Sequence, residues 1–255
     1  MMLSITPISA FHDNYIWMIN HPGSHYAWVV DPGDHRPVLK TLEAKGWELK
    51  GILLTHHHTD HCGGILGLLE HFPVPVYGSY RDESGLADRL FQGGNTAHIG
   101  PFHFLVLEIP GHTLDHIAFY GHGVLFCGDT LFSSGCGRIF EGTAPQMFNS
   151  LNQLRSLDDN TQVYCGHEYT EHNLKFALAL EPENADAKQY LRNVQLLRSR
   201  HHPSLPSTLG LEKKVNPFFR CDQPTIRESA ERHYSQKLLQ PIDVFAKVRD
   251  WKDHF

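Results

Sequence analysis

The stretch Thr55-His56-His57-His58-Thr59-Asp60-His61 follows directly on the apolar run Gly51-Ile52-Leu53-Leu54. Five side chains that can bind metals fall within six residues of this stretch. Side chains alternate along an extended loop, so His56, His58 and Asp60 are expected on one side, and His61 can serve a neighbouring position. One metal takes three or four protein ligands. The stretch therefore supplies nearly all the ligands of one metal ion and the first ligand of a second.

Three further segments repeat one pattern, in which a β-rich run leads to glycine and then to a candidate ligand. Residues 104–109 lead to Gly111 and His112, residues 124–127 to Gly128 and Asp129, and residues 162–165 to Gly166 and His167. Glycine allows the backbone to turn sharply and to approach a buried centre. Ligands at the ends of several strands predict a site at one edge of a layered α/β domain.

Chance clustering has to be considered, because the chain has 20 histidines in 255 residues. Isolated histidines are expected to be ordinary surface or core residues: His25, His71, His98, His103, His201, His202 and His254. His57 is expected to point away from its neighbours, and His116 and His172 can support ligands without binding metal. The predicted metal ligands are His56, His58, Asp60, His61, His112, Asp129 and His167.

The motif at residues 55–61 matches the T-H-x-H-x-D-H signature of the metallo-β-lactamase superfamily at every fixed position. Later motifs resemble one branch of it, the glyoxalase II (hydroxyacylglutathione hydrolase) family. These motifs are Gly135-Cys136-Gly137-Arg138, Phe140-Glu141-Gly142-Thr143, Gly166-His167-Glu168-Tyr169-Thr170, Asn173-Leu174-Lys175-Phe176, Asn216-Pro217-Phe218-Phe219-Arg220 and residues 249–255. The resemblance runs nearly the whole length of the chain.

The resemblance implies a centre with two divalent metal ions. One ion would be bound by His56, His58 and His112. The other would be bound by Asp60, His61 and His167, with Asp129 bridging the two. Zinc is the expected metal, and iron or manganese also suits these ligands. Asp60 and Asp129 are the expected catalytic residues, and Asp60 would orient the attacking hydroxide.

The implied reaction is the hydrolysis of S-(2-hydroxyacyl)glutathione thioesters, chiefly S-D-lactoylglutathione, to glutathione and D-lactate by a metal-bound hydroxide. This is the second step of methylglyoxal detoxification. The resemblance assigns glutathione contacts to Arg138, Tyr169, Arg249 and Lys252. Phe140 replaces a tyrosine of some members, and Arg138 replaces a lysine, which keeps the charge but changes its geometry.

Charge is distributed unevenly along the chain. Residues 1–169 contain eight basic and seventeen acidic residues, a net of −9, whereas residues 170–255 contain fourteen and eleven, a net of +3. A mildly basic C-terminal part suits an anionic ligand such as glutathione, because arginine binds carboxylates in a bidentate manner. An acidic metal domain does not suit a nuclease, which needs a basic strip for phosphates.

The expected fold class is α/β: a metallo-β-lactamase-type αβ/βα four-layer sandwich, residues 1–166, followed by a smaller helical glutathione-binding domain, residues 167–255. The first domain is expected to alternate strands and helices, with a strand at 27–31 and helices at 37–45 and 63–71. Apolar spacing predicts helices at 170–180, 185–200, 225–236 and 243–252.

The expected setting is cytoplasmic. The N-terminus lacks the features of an export signal, and no apolar run approaches the length of a membrane span. Five cysteines without framework spacing indicate a reducing compartment. The expected partner is the small-molecule thioester, with no nucleic acid and no membrane, and the chain is expected to be a monomer.

Other members of the superfamily provide the alternatives. A β-lactam hydrolase would share the fold and the metals, but it leaves the helical C-terminal part unexplained. A non-catalytic member would be expected to lack ligands, and all seven are present. A glutathione-persulfide dioxygenase or a general thioesterase is closer, although the dioxygenase uses one iron and does not need the second set of ligands.

Overall fold

The computed structural model describes residues 3–255. Met1 and Met2 lie outside the described part, and the expectation that the N-terminus carries no export signal rests partly on them. The chain divides into two compact units. The first contains the described residues up to Glu108, with Thr113–Gly128 and Tyr164–His167; the second contains Ile109–His112, Asp129–Val163 and Glu168–Phe255. The domain boundary between residues 166 and 167 stays a prediction.

The first unit contains a six-stranded sheet in the order β1-β2-β3-β4-β5-β6. Pairing is antiparallel from β1 to β3 and parallel from β3 to β6. The strands are β1 (Ser4–Ala10), β2 (Asn14–Asn20), β3 (Tyr26–Val30), β4 (Glu48–Leu53), β5 (Val76–Ser79) and β6 (Arg89–Phe91). All seven residues of β2 are buried, as expected of a strand covered on both faces.

Three helices accompany this sheet: α1 (His35–Lys45), α2 (Thr59–Cys62) and α3 (Ile65–Leu69). The Asp34 side chain caps α1 by accepting from the Arg36 N–H, and Gly46 ends the helix in the left-handed conformation. Buried residues of α1 and α3 share one apolar core with strands β1 to β5. This packing holds the loop after β4, which carries the metal-ligand motif.

A second sheet in the first unit has the antiparallel run β7-β8-β9-β10, with the end of β13 beside β10. Its strands are β7 (Thr96–Ile99), β8 (Phe102–Glu108), β9 (Ile117–Gly121), β10 (Val124–Gly128) and β13 (Gln162–Cys165). As the sequence predicts, β8, β10 and β13 are each followed closely by a candidate ligand.

The second unit is mainly helical. It contains α4 (Ala144–Arg155), α5 (Thr170–Leu180), α6 (Ala185–Arg198), α7 (Leu209–Val215), α8 (Pro224–Tyr234), α9 (Pro241–Asp253) and a 3-10 turn at Pro217–Phe219. The short strands β11 (Leu131–Phe132) and β12 (Gly135–Cys136) form a hairpin, and β14 (Ser207–Thr208) pairs with the start of β13. No helix in residues 3–255 is both long and apolar enough to cross a membrane.

Candidate metal centre

The metal-ligand motif begins in the loop that leaves strand β4 and ends in helix α2 (Thr59–Cys62). The Thr55 backbone N–H donates to Asp31 Oδ1 at 2.8 Å, and the Thr55 hydroxyl donates to Asp31 Oδ2 at 2.7 Å. At the other end of the motif, a Cβ on Gly33 would stand 1.8 Å from the Asp60 carbonyl oxygen. Glycine is therefore required at position 33, and both ends of the motif rest on the residues that follow β3.

Three of the predicted ligands meet in the first unit. The ligand atoms of Asp60, His61 and His167 all lie within 4.8 Å of one another. Asp60 Oδ2 is 3.6 Å from His61 Nε2 and 3.3 Å from His167 Nε2. Two imidazoles and a carboxylate are a donor set that zinc and iron accept.

Two carboxylates outside the predicted ligand set orient these imidazoles. Asp31 Oδ2 is 3.1 Å from His61 Nδ1, and Asp13 Oδ1 is 2.8 Å from His167 Nδ1. A carboxylate beside Nδ1 keeps the proton on that nitrogen and leaves Nε2 to bind a metal. In both residues Nε2 is the nitrogen near Asp60, so the arrangement fits a divalent ion.

His56 and His58 lie next to this cluster. The His56 ring centroid is 4.9 Å from that of His58 and 4.2 Å from that of His61. His56 is buried, with its Nδ1 3.0 Å from the Thr55 hydroxyl oxygen. The His116 ring stacks on His56 at 4.5 Å, and its role in supporting a ligand stays a prediction.

His57 lies beside Asp115. Its Nδ1 is 3.1 Å from Asp115 Oδ1, and the same carboxylate oxygen accepts from the Thr113 hydroxyl at 2.6 Å. Asp115 is buried. His57 thus has a partner of its own in Asp115, but it is not separated from the predicted ligands, because its ring centroid is 5.1 Å from that of His58.

The remaining two predicted ligands belong to the second unit and lie close to each other. His112 Nε2 is 3.7 Å from Asp129 Oδ2. The Arg138 carbonyl oxygen is 2.8 Å from His112 Nδ1, which again leaves Nε2 as the metal-binding nitrogen. A Cβ on Gly137 would stand 1.9 Å from the Asp129 carbonyl oxygen, so glycine is required there too. The first unit thus holds five of the seven predicted ligands and the second holds two.

The predicted substrate-binding residues are all in the second unit. Arg138 Nε and Arg249 Nη2 each donate to Asp253 Oδ1 at 3.1 Å. Arg138 is exposed, and Lys252, next to Asp253, is partly buried. Tyr169 is partly buried at the start of α5. The cationic side chains of Arg138, Arg249 and Lys252 therefore all lie near the Asp253 carboxylate.

Arg249 departs from the expected role. Its side chain is buried, Nη1 donates to the Cys136 carbonyl oxygen at 2.7 Å, and the guanidinium lies over the Phe218 ring at 5.0 Å. These contacts secure the segment that carries Arg138. Direct contact between Arg249 and a substrate stays a prediction, and the burial of this side chain does not favour it.

Lys252 lies in an aromatic environment. Its ammonium nitrogen is 5.6 Å from the Phe176 ring centre and 5.9 Å from that of Phe255. Burial, and then the nearby charge of Arg249, lower the pKa of Lys252 to about 8. A cation destabilised in this way is restabilised when an anion binds beside it.

The residues that orient the predicted ligands, Asp13, Asn14 and Asp31, were not predicted from the sequence. Nor were the carboxylates beside His57 and Arg138, which are Asp115 and Asp253. The available signal was weak: Asp31 directly follows the apolar strand β3, and Asn14 begins the buried strand β2. A polar residue at such a position is buried with the strand and needs partners there.

Two family models match consecutive parts of the chain. The metallo-beta-lactamase superfamily model matches residues 11–167, and the model of the hydroxyacylglutathione hydrolase C-terminus matches residues 168–255. A hydroxyacylglutathione hydrolase from Nitrosomonas eutropha is 47% identical over 256 residues, with both chains fully covered. Proteins of the same name from Aeromonas hydrophila and Vibrio cholerae are 48% and 47% identical, again over both full lengths.

Solved structures show the same fold. ETHE1 from Myxococcus xanthus aligns with a TM-score of 0.65 at 24% identity, covering 99% of this chain and 98% of its own. The B3 metallo-beta-lactamase BLEG-1 gives 0.64 at 23% identity, covering 86% and 99%. TTHA1623, in a di-iron-bound form, gives 0.61 at 26% identity, covering 84% and 99%. The expected α/β fold class with a helical C-terminal region is confirmed.

Proposed function

The chain belongs to the hydroxyacylglutathione hydrolase family of the metallo-β-lactamase superfamily and is a metal-dependent hydrolase, and from this we propose that it hydrolyses S-(2-hydroxyacyl)glutathione thioesters. S-D-lactoylglutathione is the chief substrate in this proposal, and glutathione and D-lactate are the products. The reaction would be the second step of methylglyoxal detoxification.

The observation that carries the proposal is the group formed by Asp60, His61 and His167. Its ligand atoms lie within 4.8 Å of one another, and carboxylates outside the group hold both Nδ1 atoms. A metal site needs this kind of preorganisation, because each ligand must present one defined atom. Surface clusters of acidic residues lack ligands that are held in place in this way.

Two divalent ions per chain are proposed. His56, His58 and His112 would hold one ion, Asp60, His61 and His167 the other, and Asp129 would bridge them. The solved relative in a di-iron-bound form supports a count of two. Zinc is the proposed metal because it binds well at imidazole-rich sites, and iron or manganese would bind to the same ligands.

Bound divalent ions would supply Lewis acidity, lowering the pKa of a water toward neutrality and polarising a thioester carbonyl. The protein's own part is orientation. Asp60 Oδ2 accepts from Asn14 Nδ2 at 2.9 Å, which holds the carboxylate where it can accept a hydrogen bond from the attacking water. The departing thiol has an ordinary pKa of roughly 8.5, so it leaves as a thiolate without a dedicated general acid.

Glutathione would be held by the cationic residues of the second unit. Arg138 is exposed and Lys252 partly buried beside aromatic rings, so both can reach an anionic ligand. Tyr169 would add a hydroxyl contact. Arg249 is included in the predicted set, and in this proposal it acts by holding the Cys136–Arg138 segment in place.

The proposed setting is a cytoplasmic monomer that binds neither nucleic acid nor membrane. All five cysteines are buried free thiols in the described part of the chain, the form that a reducing compartment preserves. The net charge of −9 over residues 1–169 supports a small-molecule substrate over a nucleic acid.

The test is thioester loss from S-D-lactoylglutathione, followed by absorbance with purified protein whose metal content is measured. Nitrocefin and bis(p-nitrophenyl)phosphate serve as β-lactam and phosphodiester controls, and an acyl-coenzyme A thioester tests for a general thioesterase. We expect rapid turnover of the glutathione thioester and little turnover of the other three. Absence of thioester turnover in fully metallated protein would refute the proposal.

A further inference from the structure

Residues 11–14, here called the turn, are the three residues between β1 and β2 and the first residue of β2, and they lie against the metal-ligand cluster of the first unit. Phe11 adopts a left-handed conformation with φ of 50°, and its side chain is 60% exposed. A phenylalanine rarely takes this conformation unless the surrounding structure imposes it. The conformation turns the chain so that Asp13 and Asn14 follow with their side chains toward the cluster.

Two side chains of the turn contact two different predicted ligands. Asp13 Oδ1 is 2.8 Å from His167 Nδ1. Asn14 Nδ2 donates to Asp60 Oδ2 at 2.9 Å and lies 3.4 Å from the Asp60 carbonyl oxygen. Asn14 is buried, so its amide is fixed in this position.

The backbone of the same turn is tied to the segment that carries His167. Asn14 and His167 form an isolated antiparallel bridge, and the Tyr15 N–H donates to the Gly166 carbonyl oxygen at 2.8 Å. A movement of the turn would therefore displace His167 as well as the carboxylate of Asp60. The contacts described for this turn fall on one of the two proposed metal positions.

We propose that Asp13 and Asn14 are positioning residues that control the affinity of the metal position formed by Asp60, His61 and His167. The inference rests on the proposed two-metal function. Asp13, 2.8 Å from His167 Nδ1, holds that ring with Nε2 toward Asp60, and Asn14 holds Oδ2 of Asp60 on the side of His61 and His167. Neither residue belongs to the proposed ligand set.

The test measures metal binding directly and does not depend on turnover. Metal-free wild-type protein, Asp13→Ala and Asn14→Ala are titrated with Zn²⁺ against a chromophoric chelator. We expect the affinity of one of the two ions to fall by about 10- to 100-fold in each variant, while that of the other stays within about twofold. Asp13→Asn keeps an acceptor oxygen without the charge and is expected to fall between wild type and Asp13→Ala.

Asp186→Ala is the matched control, because Asp186 is an exposed carboxylate in the first turn of α6. It should bind both ions as the wild type does. Co²⁺-loaded Asp13→Ala should also lose part of its visible absorption in the d–d bands, which a general loss of stability would not select. If the alanine variant does not fold, Asp13→Asn carries the same measurement.

Two results separate failure of this inference from failure of the proposed function. Wild-type protein that binds only one Zn²⁺ would refute the two-metal centre itself. Wild-type protein that binds two, with both ions held equally tightly in Asp13→Ala and Asn14→Ala, would refute the positioning role alone. Equal weakening of both ions would also overturn it, since the effect would then not be confined to one position.

Discussion

At the scale of single residues, Lys252 is a proposed glutathione-binding residue whose charge changes near pH 8. Its ammonium group lies beside Phe176 and Phe255, and burial lowers its pKa to about 8. The charged form predominates below that pH and is lost above it. An anionic ligand held by Lys252 therefore binds best below pH 8 and progressively less well at higher pH.

We expect the KM for S-D-lactoylglutathione to rise several-fold between pH 8 and pH 9 in the wild type. Lys252→Arg keeps its charge throughout, so its KM should stay level over this range. Lys252→Ala should raise KM roughly tenfold at pH 7 with kcat within about twofold, since binding in the ground state and transition state is lost equally. A fall in kcat alone would argue against a role in glutathione binding.

The sequence motif predicts candidate metal ligands more readily than the residues that hold them. Each histidine of the motif is recognisable from spacing within a few residues. Asp13 and Asp31 act on His167 and His61, which lie far from them in the sequence. Asp13 lies beside His167 because Asn14 and His167 form a bridge, and Asp31 lies beside His61 because β3 pairs with β4, the strand before the motif. A single sequence does not predict these pairings.

At the scale of elements, helix α7 and the residue after it hold the β11–β12 hairpin. The Glu212 carboxylate accepts from the Ser134 N–H at 2.7 Å. Asn216 Nδ2 donates to the Gly135 carbonyl oxygen at 2.9 Å and to that of Phe132 at 3.2 Å. The hairpin precedes Arg138, so these buried polar contacts support the segment that would bind glutathione.

Asn216→Ala should lower the free energy of unfolding by about 2–4 kcal/mol, because it leaves buried carbonyl groups without their donor. Urea denaturation followed by circular dichroism measures this change. Asn193→Ala, at an exposed position of α6, is the control and should stay within about 0.5 kcal/mol. An unchanged midpoint in Asn216→Ala would show that the hairpin does not depend on this side chain.

Helix prediction succeeds where apolar spacing is regular. The predicted helix 170–180 coincides with α5 (Thr170–Leu180), and 225–236 overlaps α8 (Pro224–Tyr234). The helix expected at 63–71 is shorter in the structure, where α3 covers Ile65–Leu69 and the separate helix α2 ends at Cys62, before the predicted range begins. A Cβ on Gly64 would stand 2.5 Å from the Pro32 carbonyl oxygen, so only glycine fits at the residue before α3.

At the scale of the whole molecule, the division of the chain into two compact units is the feature that the sequence predicts least well. The sequence suggests a division near residue 166, whereas residues 109–112 and 129–163 belong to the same compact unit as the C-terminal helices. Composition changes little across these segments. Long-range packing decides where they belong, and local patterns do not report on it.

Removal of metal should destabilise the whole chain, because ligands this well oriented bind metal in the folded state only. An ion present at 1,000 times its Kd adds about 4 kcal/mol to the free energy of unfolding. We expect metal-free protein to have a Tm several degrees or more below that of zinc-loaded protein in calorimetry. Restoring Zn²⁺ should restore the Tm, and identical melting with and without metal would contradict a site preorganised for it.

The most direct test of the two-metal thioesterase is turnover of S-D-lactoylglutathione by metal-free protein as Zn²⁺ is returned in measured equivalents. Turnover is expected to rise until two equivalents per chain are bound and then to remain constant. Full turnover at one equivalent would contradict the dinuclear centre. No turnover with two equivalents bound would contradict the thioesterase function.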